Sequence, residues 1–300
     1  MKIVACGVSG LIGRPLVKKL AERYEVICLV RSAGPRNQAV RFVVWKPGKI
    51  DAWAKELEGA HAVINLSGEP IAGKRWTSAQ KETLKASRIL TTKTIVDAIG
   101  QAEIKPKALV NGSAIGFYGA RDNSSLDEDA APGKGFLPEL CREWEREAQR
   151  AETFGVRVVN LRTGIVLSSE GGALSKMMTP FKMFIGGPLG GGRQIMSWIH
   201  IEDEVNAIIR TVEDASLRGP VNLAAPFPVS MSEFAQTLGR VLKRPSLFPV
   251  PSPILKILLG EMSEMLLTGQ NVRPKKLLQS GFKFRYEKLE EALKDLLRRP

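Results

Sequence analysis

Three glycines, Gly7, Gly10 and Gly13, fall between a short apolar run, "KIVAC" (Lys2 to Cys6), and a stretch that carries Leu16 and Leu20 on one helical face. At a strand–turn–helix junction this spacing allows a tight turn and a close backbone approach, so that amide N–H groups at the helix start can receive a pyrophosphate. The helix dipole adds about 0.3–1 kcal/mol for an anion there. The pattern predicts dinucleotide binding. About twenty residues further on, where an acid would hold both ribose hydroxyls, the chain reads Arg31-Ser32. An arginine cannot accept those hydroxyl protons but pairs with a 2′-phosphate for about 1.5–3 kcal/mol, which predicts NADP(H) rather than NAD(H). Arg36 is a second phosphate candidate in the same loop.

Proton chemistry is harder to place. Cys141 and Glu145 stand four apart in "GKGFLPELCREWEREAQRAE" (Gly133 to Glu152), which reads as a helix and puts both on one face. A carboxylate beside a thiol of reference pKa about 8.5 raises it, leaving a poor nucleophile and a poor acid at neutral pH. Cys141 also shares an apolar face with Trp144 and Ala148, so packing is its expected role. Glu139, Glu143 and Glu147 each precede an arginine by three residues (Arg142, Arg146, Arg150), an expected surface ladder of ion pairs. Glu145 lies outside that ladder, either as a general base or, the favoured reading, as a carboxylate bonded to a backbone amide. Of the three tyrosines, Tyr24, Tyr118 and Tyr286, only Tyr118 is placed near the carboxyl end of a strand, in "SAIGFYG". Tyr118 has no lysine at i+4 and so no cation in its own loop to activate it. His61 and His200 have no partner spacing, so neither a metal site nor a nucleophilic triad is expected.

The elements that must position these residues alternate from the first residue. Strand-like runs at Lys2–Cys6, Glu25–Val30, Arg41–Trp45, His61–Gly68, Lys107–Ala114 and Val156–Leu167 are separated by helical patterns, including a long one from about Trp76 to Ile99. Such repetition predicts an α/β fold with a doubly wound parallel sheet, covered on both faces. After residue 168 the glycine clusters "SSEGGALSK" and "GGPLGGGRQ" read as cleft-forming loops, inserted at about 169–201 in a Rossmann domain spanning 1–228. A smaller, mostly helical lobe then follows over 229–300, with "PVPSP" (Pro249 to Pro253) as a rigid joint. The net charge of +13 is spread evenly, with 24 basic against 17 acidic residues in 1–150 and 20 against 14 in 151–300. No arginine-rich tract or zinc-finger spacing accompanies it, so nucleic acid is not the expected partner. Three scattered cysteines fit a reducing compartment. No segment approaches a membrane span and no signal peptide is evident, so a cytoplasmic protein without a membrane partner is expected.

The glycine loop, "NLSG" (Asn65 to Gly68), Arg75-Trp76, Ser87-Arg88, "GSAIGFYG" (Gly112 to Gly119), "CREWE" (Cys141 to Glu145), "GGPLGGGRQIMSWIHIED" (Gly186 to Asp203) and "GFKF" (Gly281 to Phe284) occur in order. Together they resemble the atypical extended short-chain dehydrogenase/reductases of the epimerase-like family, over essentially the whole chain. The resemblance implies an NADP(H)-binding Rossmann domain and a substrate lobe acting on a small molecule, as a monomer or homodimer. It places Gly7, Gly10, Leu11, Ile12 and Gly13 in the phosphate loop, Arg31 and Ser32 at the adenosine phosphate, and Leu66 and Ser67 beside the cofactor. Arg88 and Glu82 would project toward the cofactor, and Val166 would lie near the nicotinamide. Reductases of this superfamily carry a Tyr-x-x-x-Lys pair where this chain has Cys141 and Glu145, and a substrate-orienting serine that Ser113 matches. The missing pair admits two expectations, an oxidoreductase or epimerase-like enzyme of altered chemistry, or a regulator that senses NADPH.

Overall fold

The computed structural model describes residues 1–32, 40–121 and 123–298, so Arg36 lies outside the described residues. The apolar runs become strands: β1 (Lys2–Cys6), β2 (Glu25–Val30), β3 (Val40–Val44), β4 (Ala62–Asn65) and β5 (Ala108–Ala114). The two-residue β6 (Ser125–Leu126) precedes β7 (Arg157–Thr163) and β8 (Ile165–Ser168). Then come β9 (Ile195–Met196), β10 (Trp198–His200), β11 (Gly219–Leu223), β12 (Val229–Ser230) and β13 (Asn271–Val272). Seven of these form one sheet in the order β11-β7-β5-β4-β1-β2-β3. Every pairing within it is parallel. The strand order reverses between β1 and β4, and clefts in such sheets open beyond the carboxyl ends of the strands at that reversal.

Alternation along the strands sends side chains to two helical layers. Val4, Val63, Leu109 and Val158 pack toward α2 (Ser78–Gln101) and α3 (Phe136–Gln149), whereas Ile3, Ile64, Val110, Val159 and Leu161 pack toward α1 (Gly13–Leu20) and α5 (Ile201–Glu213). Leu16 and Leu20 of α1 are fully buried, as their shared helical face predicts. Each such side chain contributes about 1.5–3 kcal/mol.

Two expectations change. The single run Val156–Leu167 is two strands broken at Gly164, after which β8 leaves the main sheet to pair with β10. A Cβ on Gly164 would lie 2.8 Å from the Ser197 carbonyl oxygen, so the chain passes there only without a side chain. The segment expected as cleft loops contains a helix, α4 (Gly172–Lys182), which buries Leu174, Met178 and Phe181. These pack with Trp198 and with residues of α6 (Met231–Leu242) and α10 (Leu289–Arg298), so this cluster draws on sequence from both sides of residue 229. α7 (Ser252–Leu259), α8 (Glu264–Leu267) and α9 (Lys275–Gln279) complete the helical C-terminal region.

Candidate functional site

The glycine loop lies at the strand reversal, and its geometry explains two of its glycines. Gly7 has φ +75°, and a Cβ there would sit 2.3 Å from the Leu66 carbonyl carbon and 2.6 Å from the Ser67 nitrogen. Only glycine lets the loop lie this close to the end of β4, which brings Leu66 and Ser67 to the same spot. A Cβ on Gly13 would meet the Val8 Cα at 2.5 Å, whereas Gly10 is exposed and would meet only the Gly7 oxygen at 3.4 Å. The open side of the loop is thus at Gly10, where its N–H bonds back to the Gly7 carbonyl at 3.2 Å. α1 begins with Ile12 at its cap, no capping side chain and no acid in its first turn; Arg14 N–H is held by the Gly10 carbonyl at 3.2 Å and Pro15 has none, so what the helix start offers an anion is chiefly its dipole. Leu11 packs against Gly172, whose added Cβ would come within 2.8 Å of its side chain and 3.9 Å of the Val166 oxygen. Leu11 and Val166 therefore border one wall. Arg31 and Ser32 are exposed just beyond β2. Backbone cradle, open helix end and nearby arginine suit a phosphorylated dinucleotide.

A second polar region lies beyond the ends of β5 and β7. Strand register sets Ser113, Arg162 and Asn222 side by side, and α3 lays Glu145 across them. The Ser113 hydroxyl donates to Glu145 Oε1 at 2.7 Å. Arg162 grips both carboxylate oxygens, Nε to Oε1 and Nη2 to Oε2, each at 2.9 Å. Its Nη1 donates to the Tyr118 hydroxyl at 3.1 Å, and that hydroxyl donates to Asn222 Oδ1 at 2.7 Å. The guanidinium also stacks 3.4 Å from the Phe117 ring centre. One row deeper, Asn65 Nδ2 donates to Asn111 Oδ1 at 2.8 Å and to Thr92 Oγ1 at 2.9 Å, while Trp144 Nε1 donates to the same threonine at 2.9 Å. Asn65 Oδ1 accepts the Ser67 N–H at 3.2 Å and so ties this ladder to the glycine loop.

The electrostatics of this corner make Tyr118 and Cys141 poor proton donors. Burial pushes the Tyr118 hydroxyl up to about 12 despite the pull of Arg162. Burial, with Glu145 adding to it, pushes the Cys141 thiol up to about 12. Cys141, Trp144 and Ala148 are all buried on one face of α3, as expected. Burial alone would lower the Arg162 pKa, yet its bonds to Glu145 leave it raised.

The structure moves several candidates. Tyr118 does not open into the cleft: it is fully buried and its hydroxyl is engaged on both sides. It does have a cation after all, Arg162, supplied from β7 rather than from its own loop. Glu145 bonds not to a backbone amide but to Ser113 and Arg162. Arg88 braces the loop after β4, donating from Nη2 to the Glu69 carbonyl at 2.9 Å and lying 5.2 Å over Trp144. Burial lowers its pKa. Glu82 is exposed on α2 and is not brought to either region. The arginine ladder on α3 is partial, because Glu143 pairs with Lys85 of α2, at 2.9 Å, and only Glu147 bonds the arginine three residues on, Arg150. His200 caps α5 by accepting the Glu202 N–H at 3.1 Å, and among the described residues no cluster could hold a metal. Arg162, Asn222 and the buried asparagines escaped sequence reasoning. Their signal was available: single polar residues inside otherwise apolar runs such as "VRVVNLRTG".

Residues 3–224 match the model of the NAD dependent epimerase/dehydratase family, and residues 250–296 match a domain of unknown function, DUF1731. The chain is 41% identical to the chloroplastic epimerase family protein SDR39U1 homolog of Arabidopsis thaliana, over 99% of this chain and 87% of the relative. It is 39% identical to the epimerase family protein YfhF of Bacillus subtilis, over 99% and 98% respectively. The crystal structure of human epimerase family protein SDR39U1 (isoform 2) with NADPH superposes with a TM-score of 0.90 at 32% identity, covering 100% of both chains. With the glycine cradle at the strand reversal and the matched family model over residues 3–224, the chain belongs to the NAD dependent epimerase/dehydratase family.

Proposed function

We propose that this protein binds NADP(H) at the glycine loop and uses it in hydride chemistry on a small substrate, without a side-chain acid of the tyrosine–lysine kind. The observation that carries the reading is the close backbone approach of Gly7 to Leu66 and Ser67, which leaves the Gly10 side of the loop and the start of α1 open. Support comes from the similar human protein, solved with NADPH. Gly7, Gly10, Leu11, Ile12 and Gly13 would hold the pyrophosphate, Arg31 and Ser32 the 2′-phosphate, Leu66 and Ser67 the far wall, and Val166 the nicotinamide end. The bound cofactor would supply or accept a hydride. Ser113, its proton committed to Glu145, would orient substrate through its remaining lone pair. With Tyr118 and Cys141 both near 12, the proton or balancing charge is left to the substrate's own phosphate or carboxylate. That same shortage of acids favours a second reading, a protein whose NADPH occupancy is read by a partner.

Calorimetric titration with NADPH and NADH tests the cofactor claim. NADPH is expected to bind at least about tenfold more tightly, and Arg31→Asp to erase the difference, as the loss of about 1.5–3 kcal/mol requires. Equal affinities would overturn it. Turnover on carbonyl substrates that carry a phosphate, absent on those without one, supports the enzyme; NADPH binding with no turnover on either supports the regulator.

A further inference from the structure

Fourteen large apolar side chains are exposed among the described residues, and eight belong to two segments of the second lobe: Met183–Ile185 with Leu247–Phe248, and Ile254, Ile257 and Leu258 of α7. Scattered exposed apolar residues need no explanation, but a group does. The first segment is held in place. Phe248 N–H donates to the Gly186 carbonyl at 3.1 Å, Val250 N–H to that of Pro188 at 2.9 Å, and Gly190 N–H to that of Val250 at 2.8 Å. This parallel pairing makes Met183–Ile185 and Leu247 emerge at the same end. The Arg244 guanidinium lies 4.4 Å over the Phe184 ring, and Leu247 stands 74% exposed.

Charge identifies the occupant. Residues 171–201 and 234–260 contain no aspartate or glutamate, yet carry Lys176, Lys182, Arg193, Arg240, Lys243, Arg244 and Lys256. Beside Leu247 an open hollow of about 470 Å³ is lined by Arg240, Lys243, Arg244 and Ser246. Arg240 pairs with Glu290 at 3.2 Å, whereas among the described residues no ion pair engages Lys243 or Arg244. A second copy of the chain would bring two cationic rims together, which is repulsive. We propose that this tip rests on an anionic lipid bilayer, with Met183–Ile185 and Leu247–Phe248 entering the interface and Lys182, Lys243 and Arg244 on headgroup phosphates. The expectation of no membrane partner rested on the lack of a spanning segment, and an interfacial contact needs none.

The test is co-sedimentation of the full chain with phosphatidylcholine vesicles, with and without about one third phosphatidylglycerol, an anionic content chosen so that each cation near the surface adds about fivefold to binding. Binding to the anionic vesicles is expected to exceed binding to the neutral ones by at least about tenfold and to fall away in high salt. Met183→Glu/Leu247→Glu and Lys182→Glu/Lys243→Glu should each abolish it while leaving NADPH affinity unchanged, which shows that the variants fold. Absent binding, equal binding to both vesicles, or binding that survives both variants overturns the proposal. So does concentration-dependent dimerisation abolished by Met183→Glu/Leu247→Glu without vesicle binding, which would assign the face to a second copy.

Discussion

Neighbouring residues of β7 answer two carboxylates, the half-buried Glu145 and the buried Glu204, in opposite ways. Arg162 faces α3 and meets Glu145 with a two-point ion pair, while Thr163 faces α5 and offers Glu204 a single hydroxyl at 2.9 Å. Glu204 Oε2 has no hydrogen-bond partner among the described residues, and burial pushes the Glu204 carboxyl up to about 8. One side of the sheet therefore holds an ion pair and the other a carboxyl whose burial favours its protonated form. The strand presents a cation to one face and only a hydroxyl to the other, and that single hydroxyl does not offset the burial that raises the Glu204 carboxyl.

Arg162→Met attacks the charged side hardest. It strands Glu145 and unsettles Ser113 and Tyr118, so urea unfolding should show a loss of about 3–5 kcal/mol. Adding Glu145→Met should recover part of that loss, since an apolar pair costs less than an orphaned charge. A loss under about 1 kcal/mol in the single variant would erase the distinction drawn between the two faces.

Glu204 should impose a pH dependence of its own. Its proton is retained in the fold to about 8 but released in the unfolded chain near 4.5. Its contribution to stability is therefore full below about pH 4.5 and is lost as pH rises toward 8, by an amount on the order of 5 kcal/mol. Glu204→Gln should flatten this slope and raise Tm at pH 8 relative to the parent, with little change at pH 5. An unchanged slope would mean that Glu204 is charged in the fold.

Smaller effects sharpen the contrast. Tyr118→Phe removes a hydroxyl that bridges Arg162 and Asn222, for an expected loss of about 1–3 kcal/mol with NADPH affinity intact. Cys141, buried and pushed up to about 12, should react with thiol reagents at pH 7 only as fast as the protein opens. Fast labelling of the native protein would place a reactive thiol beside Glu145 and contradict the packing role.

The glycine junction was legible in the sequence because its constraints are local: a strand, a turn that needs positive φ at Gly7, and a helix start lie within a dozen residues. Periodicity likewise marked the parallel sheet and the Leu16/Leu20 and Cys141/Trp144/Ala148 faces, since burial follows the period of each element. The break at Gly164 was not marked, because it depends on the Ser197 carbonyl thirty-odd residues away. Nor was the state of the candidate acids. Glu145 reads as a general base or an amide acceptor until the register of β5 with β7 and of β7 with β11 brings Ser113, Arg162 and Asn222 into one row. Sequence alone marked the Gly7–Gly13 strand–turn–helix junction, because the strand, the positive φ and the helix start lie within a few residues. Only the tertiary structure decided which side chains could hold or move a proton, because charge state is set by burial and by partners that arrive from distant strands.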